Sequence, residues 1–523
     1  MAVARVACRA QVELHAPLVH VEVSLASGLP TFCIVGLPAT VVKESKERVR
    51  AALLNSRFEF PAGRITVSLA PADLPKEGGR FDLPIALGIL LASGQIRAPA
   101  EASSATGVAR EFYGELGLTG ELKPVRGLLL AAAHAQRHGH ELVVPRANAA
   151  EACAAAPARV RAAGHLLEVC AHVSGAAPLP PCPVPARSAG RPDQAGAPLD
   201  LADVCGQGHA KRALSIAAAG AHSLLMIGPP GCGKSMLAQR LPGLLPPLTH
   251  SEALEVAAIA AVSAAGFRPE RLGQRPFRAP HHTASAAALV GGGARARPGE
   301  ISLAHHGVLF LDELPEFERG VLEALREPLE TGVVAVSRAA LQTQYPAAFQ
   351  LIAAMNPCPC GRLGDPSGGC RCTPAELQRY RGRISGPLLD RLDMHVEVPR
   401  VAASEFDAAA GCGESTLTAA ARIARARMVQ LARQERCNAR LTEGDVQRWC
   451  VADEAGRRLL AAAMQRLGLS GRARQRVLKV ARTIADLEGA TAISAAHVGE
   501  AVMLRCMDRG ATAPSAPCDR RPA

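Results

Sequence analysis

The chain has 523 residues, of which 48% are hydrophobic and 20% are charged, so it is long enough for roughly two to four folded domains. No apolar run approaches the roughly 18–20 residues needed to cross a bilayer, and charges interrupt the N-terminal stretch from Arg5 to Glu22, which excludes an obvious signal peptide. We therefore expect a cytoplasmic protein without a membrane partner. The net charge of +12 favours a polyanionic partner such as nucleic acid, and 3% aromatic residues favour phosphate contacts over base stacking.

The N-terminal region, residues 1–173, mixes short strands with helices. Strands are predicted at 32–36 and 64–71, and a helix with Thr40 as its N-cap is predicted to extend to Ser56. Residues 174–199 are dense in proline, alanine and glycine, which is typical of a linker.

A nucleotide-binding loop is predicted in the second region, residues 200–400, where strands and helices alternate as in a parallel α/β sheet. The pattern G-x-x-x-x-G-K-S follows an apolar run at 224–227 and precedes helix-forming residues. Backbone N–H groups of such a loop wrap phosphates, its lysine reaches the β and γ oxygens, and its serine ligates Mg²⁺. The ATP-binding residues are predicted to be Gly228, Pro229, Pro230, Gly231, Cys232, Gly233, Lys234 and Ser235.

Two further strands of this region end in polar residues that suit ATP hydrolysis. Asp312 and Glu313 follow the apolar run 308–311, which predicts a Walker B motif with Asp312 positioning Mg²⁺ and Glu313 activating water. Asn356 ends the strand predicted at 349–356, where its amide can orient the attacking water.

Two arginines are placed where they can act on phosphate. Arg391 precedes a short strand and either reaches a neighbouring subunit's nucleotide or pairs locally with Asp390 or Asp393. Residues 401–510 are predicted to be helical, and residues 511–523 to be a disordered tail. Arg472 lies in the first turn of a helix capped by Ser470, a position that the helix macrodipole disfavours unless the arginine touches phosphate.

A longer helix of the same region carries a leucine and methionine stripe opposite an arginine stripe. The apolar side is predicted to contain Leu417, Ala424, Met428 and Leu431. The arginines opposite are either a solvated face or a surface for DNA or another subunit; they are Arg422, Arg425, Arg433 and Arg436.

Four cysteines are concentrated between Asn356 and Arg391. They form C-x-C, nine intervening residues and C-x-C, and four thiolates suffice for a tetrahedral zinc site. The alternatives are a redox pair and an unliganded loop. The candidate ligands are Cys358, Cys360, Cys370 and Cys372.

Together these motifs resemble the ComM/YifB family of magnesium-chelatase-like AAA+ ATPases over most of the chain. The resemblance rests on the P-loop segment, "FRAPHHTAS", "GEISLAHHGVLFLDELPEF", "AMNPCPCG", "RISGPLLDRLD" and "ARTIADLEG". It implies a central AAA+ P-loop α/β domain with a C-terminal helical lid, ATP and Mg²⁺ as ligands, and a ring, expected to be a hexamer. It also implies that Asn356 is sensor 1, Arg391 the arginine finger and Arg472 sensor 2.

The resemblance further implies an ATP-driven DNA helicase that promotes branch migration during natural transformation, acting beside recombination proteins. Two inserts, 277–307 and 330–346, are expected to line a DNA channel. Their candidate phosphate contacts are Arg295, Arg297 and Arg338, with a solvated surface as the alternative. For the adjacent histidine pairs, His281–His282 and His305–His306, we expect a structural or pore role, because neighbours in a strand point to opposite faces.

The N-terminal region resembles the α+β proteolytic domain of Lon, which raises an ATP-dependent protease as a rival function. Covalent catalysis needs a nucleophile and its base. Arg80 stands where the Lon pattern has its serine and Leu129 where it has its lysine. We therefore expect the fold without the chemistry. A chelatase-like motor that remodels a protein partner stays open as the alternative to a DNA motor.

Overall fold

The computed structural model describes residues 2–36, 40–97, 109–183, 199–293, 296–338, 341–364, 369–401 and 413–511. The chain divides into two compact units. Unit 1 contains Met1–Arg191 with His250–Gly273, and unit 2 contains Pro192–Thr249 with Gln274–Ala523. Of the predicted linker, residues 184–198 lie outside the described residues, as do residues 512–523 of the predicted tail.

The helices are α1 (Thr40–Asn55), α2 (Asp82–Ala92), α3 (Leu128–His138), α4 (Ala149–Ala155), α5 (Leu166–Val173), α6 (Gly208–Gly220), α7 (Lys234–Leu244), α8 (His250–Val262), α9 (Ala286–Val290), α10 (Glu300–Leu303), α11 (Arg319–Ala324), α12 (Arg326–Thr331), α13 (Pro374–Gly382), α14 (Gly386–Leu389), α15 (Thr416–Gln434), α16 (Glu443–Trp449), α17 (Glu454–Leu467), α18 (Gly471–Glu488) and α19 (Ala495–Met503). The strands are β1 (Ala2–Arg9), β2 (Leu18–Ala26), β3 (Thr31–Val35), β4 (Arg64–Ala70), β5 (Arg110–Phe112), β6 (Glu115–Leu116), β7 (Leu122–Lys123), β8 (Glu141–Pro145), β9 (Val160–Ala163), β10 (Leu224–Ile227), β11 (Phe277–Arg278), β12 (Gly291–Gly292), β13 (Arg297–Pro298), β14 (Val308–Leu311), β15 (Val333–Arg338), β16 (Leu341–Pro346), β17 (Gln350–Met355) and β18 (Met394–Glu397).

Unit 1 is an α+β fold built on a mixed sheet. In its described part, seven strands are ordered β3-β4-β2-β1-β5-β8-β9, with antiparallel pairs β1/β2 and β2/β4 and parallel pairs elsewhere. The predicted strands at 32–36 and 64–71 correspond to β3 and β4, and the helix predicted from Thr40 is α1. Alternating burial along β2 and β4 shows why these runs form strands with one face in the core.

The segment His250–Gly273 packs into the core of unit 1, although it follows the P-loop helix α7 in sequence and lies inside the range 200–400 assigned to the ATPase core. The helix α8 contributes buried Ala257 and packs against α3. Leu254, Phe267 and Leu272 lie against the same core. The apolar residues of this segment are therefore covered by unit 1.

The two positions that a Lon-like dyad would occupy serve packing in this unit. The Arg80 guanidinium is buried, and it donates to the carbonyl oxygen of Arg126 and to Gln11 Oε1. Leu129 is buried in the hydrophobic core at the start of α3. Neither side chain can attack a peptide bond.

Unit 2 contains a parallel sheet, as the sequence predicts. Its described strands are ordered β11-β14-β17-β10-β18, and every neighbouring pair is parallel. The strands β10, β14 and β17 are buried along their whole length, which explains their nearly continuous apolar sequences. Because all strands run the same way, the residues after each strand meet at one edge of the sheet.

The helical region after residue 412 packs onto this sheet and its flanking helices. The helix α18 begins after Ser470, whose side chain accepts a hydrogen bond from the Ala473 N–H. Its apolar residues Val477, Val480, Ala481 and Ile484 are buried. None of the helices in the described ranges is long and apolar enough to cross a bilayer.

The predicted apolar face of α15 is wrong. Its buried residues are Ala419, Ile423, Ala426 and Gln430, whereas Leu417 and Met428 are 83% and 63% exposed. The small side chains face α6 and α7, where alanines allow close approach of the helices. Of the arginine stripe, Arg433 is tied to Asp486 of α18 at 2.8 Å and Arg422 to Glu414 at 2.9 Å.

Candidate functional site

The P-loop connects the carboxyl end of β10 to the amino end of α7, which begins at Lys234. Gly233 has φ 93°, a conformation that side-chain-bearing residues rarely adopt, and it directs the loop into the helix. Gly228 lies so close to the Val398 carbonyl that a Cβ would stand 2.1 Å from that oxygen. Gln207 donates to the carbonyl oxygens of Cys232 and Pro399, which fixes the loop against the segment after β18.

Lys234 and Asn356 lie together at this loop. The Lys234 ammonium is buried and donates to the carbonyl oxygens of Gly228 and Pro229 at 2.7 and 2.9 Å. It also donates to Asn356 Oδ1 at 3.3 Å. Asn356 follows β17, the neighbour of β10, so the sheet order accounts for this contact. The sequence predicts both residues for the ATP site, and the fold brings them into contact.

Ser235 and Asp312 supply two oxygen ligands at one point. Ser235 Oγ donates to Asp312 Oδ2 at 2.7 Å, and the other oxygen of Asp312 accepts from the Glu313 N–H. Hydroxyl and carboxylate oxygens beside a phosphate-binding loop are the ligands that Mg²⁺ takes together with substrate phosphates. The residues present therefore fit a magnesium ion.

Glu313 has a partner that the sequence reasoning missed. His282 Nδ1 lies 3.0 Å from Glu313 Oε2, and Glu313 has φ 53°, an uncommon backbone conformation for a residue other than glycine. The expectation of a structural or pore role assumed that His281 and His282 belong to a strand. They lie in a turn after β11 instead, with ring centroids 4.1 Å apart. His282 therefore contacts the predicted catalytic glutamate.

Arg391 and Arg472 meet at a different carboxylate, Glu330. The Arg391 guanidinium lies 2.8 Å from Glu330 Oε1, and that of Arg472 lies 3.4 Å from the same oxygen. Arg391 also donates to the Pro387 carbonyl, and its Nε has no hydrogen-bond partner among the described residues. In place of the local pairs with Asp390 or Asp393 that the sequence allows, Arg391 pairs with Glu330 in the last turn of α12.

Asp393 connects the segment of Arg391 to the helix of Arg472. Its buried carboxylate accepts from the Ser223 N–H at 3.0 Å and from the Arg476 guanidinium of α18. Burial alone would raise the pKa of Asp393, but Arg476 and His222 hold it well below its usual value. The charged carboxylate thus ties α18 to the sheet.

The two predicted inserts form hairpins that pack on each other. The strands β12 and β13 pair in the first insert, and β15 and β16 pair in the second. Tyr345 of β16 donates to the Ala296 carbonyl at 2.9 Å. Arg297 is half-buried in β13, the backbone of Arg338 ends β15, and Arg295 lies outside the described residues.

The four cysteines of the predicted zinc site lie together. Their sulfur atoms are all within 4.8 Å of one another, in the segment between Asn356 and α13. Sequence spacing was sufficient to select this group.

Three family descriptions match successive parts of the chain. "Subunit ChlI of Mg-chelatase" matches residues 21–148, "Magnesium chelatase, subunit ChlI" matches 200–406, and "Magnesium chelatase, subunit ChlI C-terminal" matches 413–505. The chain is thus similar to chelatase subunits in all three regions that the sequence distinguishes.

Several relatives match nearly the whole chain. An uncharacterized protein, YifB, of Salmonella typhimurium is 49% identical over 514 residues, which cover 97% of this chain and 98% of that protein. The competence protein ComM of Haemophilus influenzae is 47% identical over 509 residues, covering 97% and 98% respectively. A magnesium-chelatase 67 kDa subunit of Heliobacterium mobile is 27% identical over 227 residues, which cover 38% of this chain and 31% of that subunit.

Proposed function

The chain belongs to the magnesium-chelatase-like ComM/YifB family, and from this premise we propose that it is an ATP-hydrolysing ring motor that moves along DNA. ATPase activity is what membership of this AAA+ family implies. The observation that carries the proposal is the assembly of Lys234, Ser235, Asp312 and Asn356 at one edge of the parallel sheet, after three different strands.

In this proposal each residue of the cluster has a separate task in ATP hydrolysis. The P-loop amides and Lys234 hold the phosphates, and Lys234 exchanges its present carbonyl partners for phosphate oxygens. Asn356 orients the attacking water, and Glu313 accepts its proton. Mg²⁺, held by Ser235 and Asp312, neutralises charge on the phosphates when it is bound.

The same proposal assigns Arg391 as an arginine finger and Arg472 as sensor 2. Both contact Glu330, while the P-loop cluster forms separately around Lys234. An arginine supplied by a neighbouring copy stabilises negative charge in phosphoryl transfer. We therefore place the complete ATP site at the interface between copies, in a closed ring that we propose to be a hexamer.

DNA is the proposed substrate of the motor, and the cytoplasm its compartment. The net charge of +12 and the hairpin β15/β16, inserted between the Walker B strand and the sensor strand, support this choice. Arg295, Arg297 and Arg338 are the proposed phosphate contacts.

A relative of nearly the same length is named a competence protein. Branch migration of incoming DNA during natural transformation, beside recombination proteins, is the proposed biological task.

Movement of branched DNA by the purified protein tests this function. We expect ATP-dependent dissociation of a labelled four-way junction and stimulation of ATP hydrolysis by DNA, both absent in Lys234→Ala. Binding to DNA should weaken steeply with salt, because phosphate contacts release counterions. An ATPase that neither binds DNA nor responds to it at low salt would contradict the proposal. That result would favour the alternative motor, which remodels a protein partner as chelatase-like ATPases do.

A further inference from the structure

The four-cysteine group has the dimensions of a single tetrahedral metal site. The Cys358 and Cys360 sulfurs are 3.3 Å apart, and Cys370 Sγ lies 3.8 Å from Cys358 Sγ and 3.7 Å from Cys360 Sγ. Zn–S bonds of about 2.3 Å in a tetrahedron place neighbouring sulfurs about 3.8 Å apart. The two separations that involve Cys370 match this value, that between Cys358 and Cys360 is shorter, and all three exceed the roughly 2.05 Å of a disulfide bond.

Backbone N–H groups around the cysteines are directed at sulfur. The Leu363 N–H donates to Cys358 Sγ at 3.3 Å, and the Arg362 N–H donates to Cys360 Sγ. Hydrogen bonds of this kind stabilise thiolate charge and orient ligands around a metal. The turn that provides these donors therefore suits metal-bound thiolates better than neutral thiols.

The group also contacts the nucleotide-binding loop. Cys358 is buried two residues after Asn356. The backbone of Gly361 packs so tightly on the P-loop that a Cβ there would stand 2.8 Å from Pro230 Cδ. Tyr380 of α13, which follows the last cysteine, is buried and forms a hydrogen bond with the backbone of Asn356. One short segment thus touches both sides of the ATP site.

We propose that Cys358, Cys360, Cys370 and Cys372 bind one Zn²⁺ ion, which fixes the segment after Asn356 against the P-loop. Zinc is selected because soft thiolate ligands in tetrahedral geometry favour it and because it undergoes no redox change. Four sulfurs within 4.8 Å fit one ion and are too close together for a multinuclear iron–sulfur cluster. The ion is structural, since all four of its positions are filled by protein.

Metal content of the full chain, purified without chelators, tests the site directly. We expect one zinc per chain by native mass spectrometry and elemental analysis, and loss of that zinc in the double variant Cys370→Ser/Cys372→Ser. The control Cys33→Ser, which changes an exposed cysteine of unit 1, should keep it.

Four outcomes would overturn the metal site. They are a metal-free wild-type chain, iron in place of zinc, a mass lowered by disulfide formation among the four cysteines, and full zinc retention in the double variant. Exchange with Co²⁺ in the wild-type chain gives a check that needs no variant, because tetrahedral cobalt thiolates absorb visible light. A colourless cobalt-treated protein would likewise count against the site.

The predicted effect on the P-loop rests on the proposed ATPase function and has its own measurement. Removal of zinc should weaken binding of a fluorescent ATP analogue by about tenfold, because small displacements of positioning groups are costly, while helical content stays unchanged. Equal affinity with and without zinc would overturn the positioning role. A zinc-loaded chain that binds no nucleotide would instead overturn the proposed function and leave the metal site standing.

Discussion

Two groups of charged side chains in unit 2 differ in how complete they are within one chain. Lys234, Ser235, Asp312 and Asn356 form a connected cluster with oxygen ligands for magnesium and a lysine at the phosphate-binding loop. Arg391 and Arg472 have the chemistry to stabilise phosphate, yet they share the carboxylate of Glu330. The first group is the proposed nucleotide-binding group, whereas the two arginines of the second share one carboxylate of their own chain.

The difference indicates which contacts must change when copies assemble. Glu330 is 43% exposed and Arg472 60% exposed, and an ion pair between two such side chains contributes only about 0–1 kcal/mol, whereas the Arg391 side chain that shares Glu330 is 8% exposed. A nucleotide phosphate from another copy carries more charge than Glu330 and can replace it. The hairpin β15/β16 begins three residues after Glu330, so this carboxylate lies at the base of a proposed DNA contact.

The largest effect is expected for Arg391→Ala. Loss of an arginine finger should lower the rate of ATP hydrolysis by about 10³-fold, while nucleotide binding stays within about threefold of the wild type. Steady-state hydrolysis and binding of a fluorescent nucleotide measure the two quantities separately. The control Arg457→Ala, which removes an exposed arginine paired with Glu454, should leave both unchanged. Equal loss of binding and hydrolysis in Arg391→Ala would mean that this arginine acts with the P-loop cluster around Lys234.

Lys234→Ala should affect binding as well as hydrolysis, with a loss of roughly 10²-fold or more in rate. Within one chain, Lys234 is the charged donor proposed for the phosphates. Lys211→Ala in α6 is the matched control for removal of a lysine from unit 2. Wild-type nucleotide affinity in Lys234→Ala would show that the P-loop cluster is not the binding group.

His282→Ala should lower hydrolysis by about tenfold with little effect on binding, because His282 orients Glu313 through their 3.0 Å contact. His281→Ala is a close control, since that ring bonds to Thr283 and packs on the His282 ring. A comparable loss in both variants would assign the effect to the turn and not to the Glu313 contact.

The smallest effect is expected for Glu330→Gln. Removing the shared charge should lower the ATP concentration needed for ring assembly by up to about threefold. It should also lower the free energy of unfolding by about 0–1 kcal/mol. Concentration-dependent assembly by light scattering and denaturant titration measure these changes. Glu327→Gln on the same helix is the control. A higher ATP requirement in Glu330→Gln would mean that Glu330 supports the active arrangement.

The sequence predicts the P-loop cluster because each member follows a recognisable strand, and a parallel sheet brings strand ends together. It does not reveal the contact of His282 with Glu313, which depends on the pairing of β11 with β14. The offset between these two residues equals that between the paired Phe277 and Val308, so the strand register explains the contact. Glu330 could not be predicted, because side-chain proximity across distant helices leaves no local pattern.

Helical periodicity also failed at α15 for an identifiable reason. The prediction relied on the spacing of large apolar residues. The buried face is instead determined by small alanines, which let α15 approach α6 and α7. Leu417 and Met428 stay exposed as a result. Packing distance between helices, which a single sequence does not encode locally, decides which face is covered.

Mixing the two inactive variants, Lys234→Ala and Arg391→Ala, tests most directly whether the ATP site is completed by another copy. In a mixed ring, the intact P-loop of one variant meets the intact arginine of the other. At equal amounts we expect recovery of about a quarter of the wild-type hydrolysis rate, because one interface in four then combines both intact groups. Mixed assembly, verified by native mass spectrometry, with no recovery at any ratio would contradict the account.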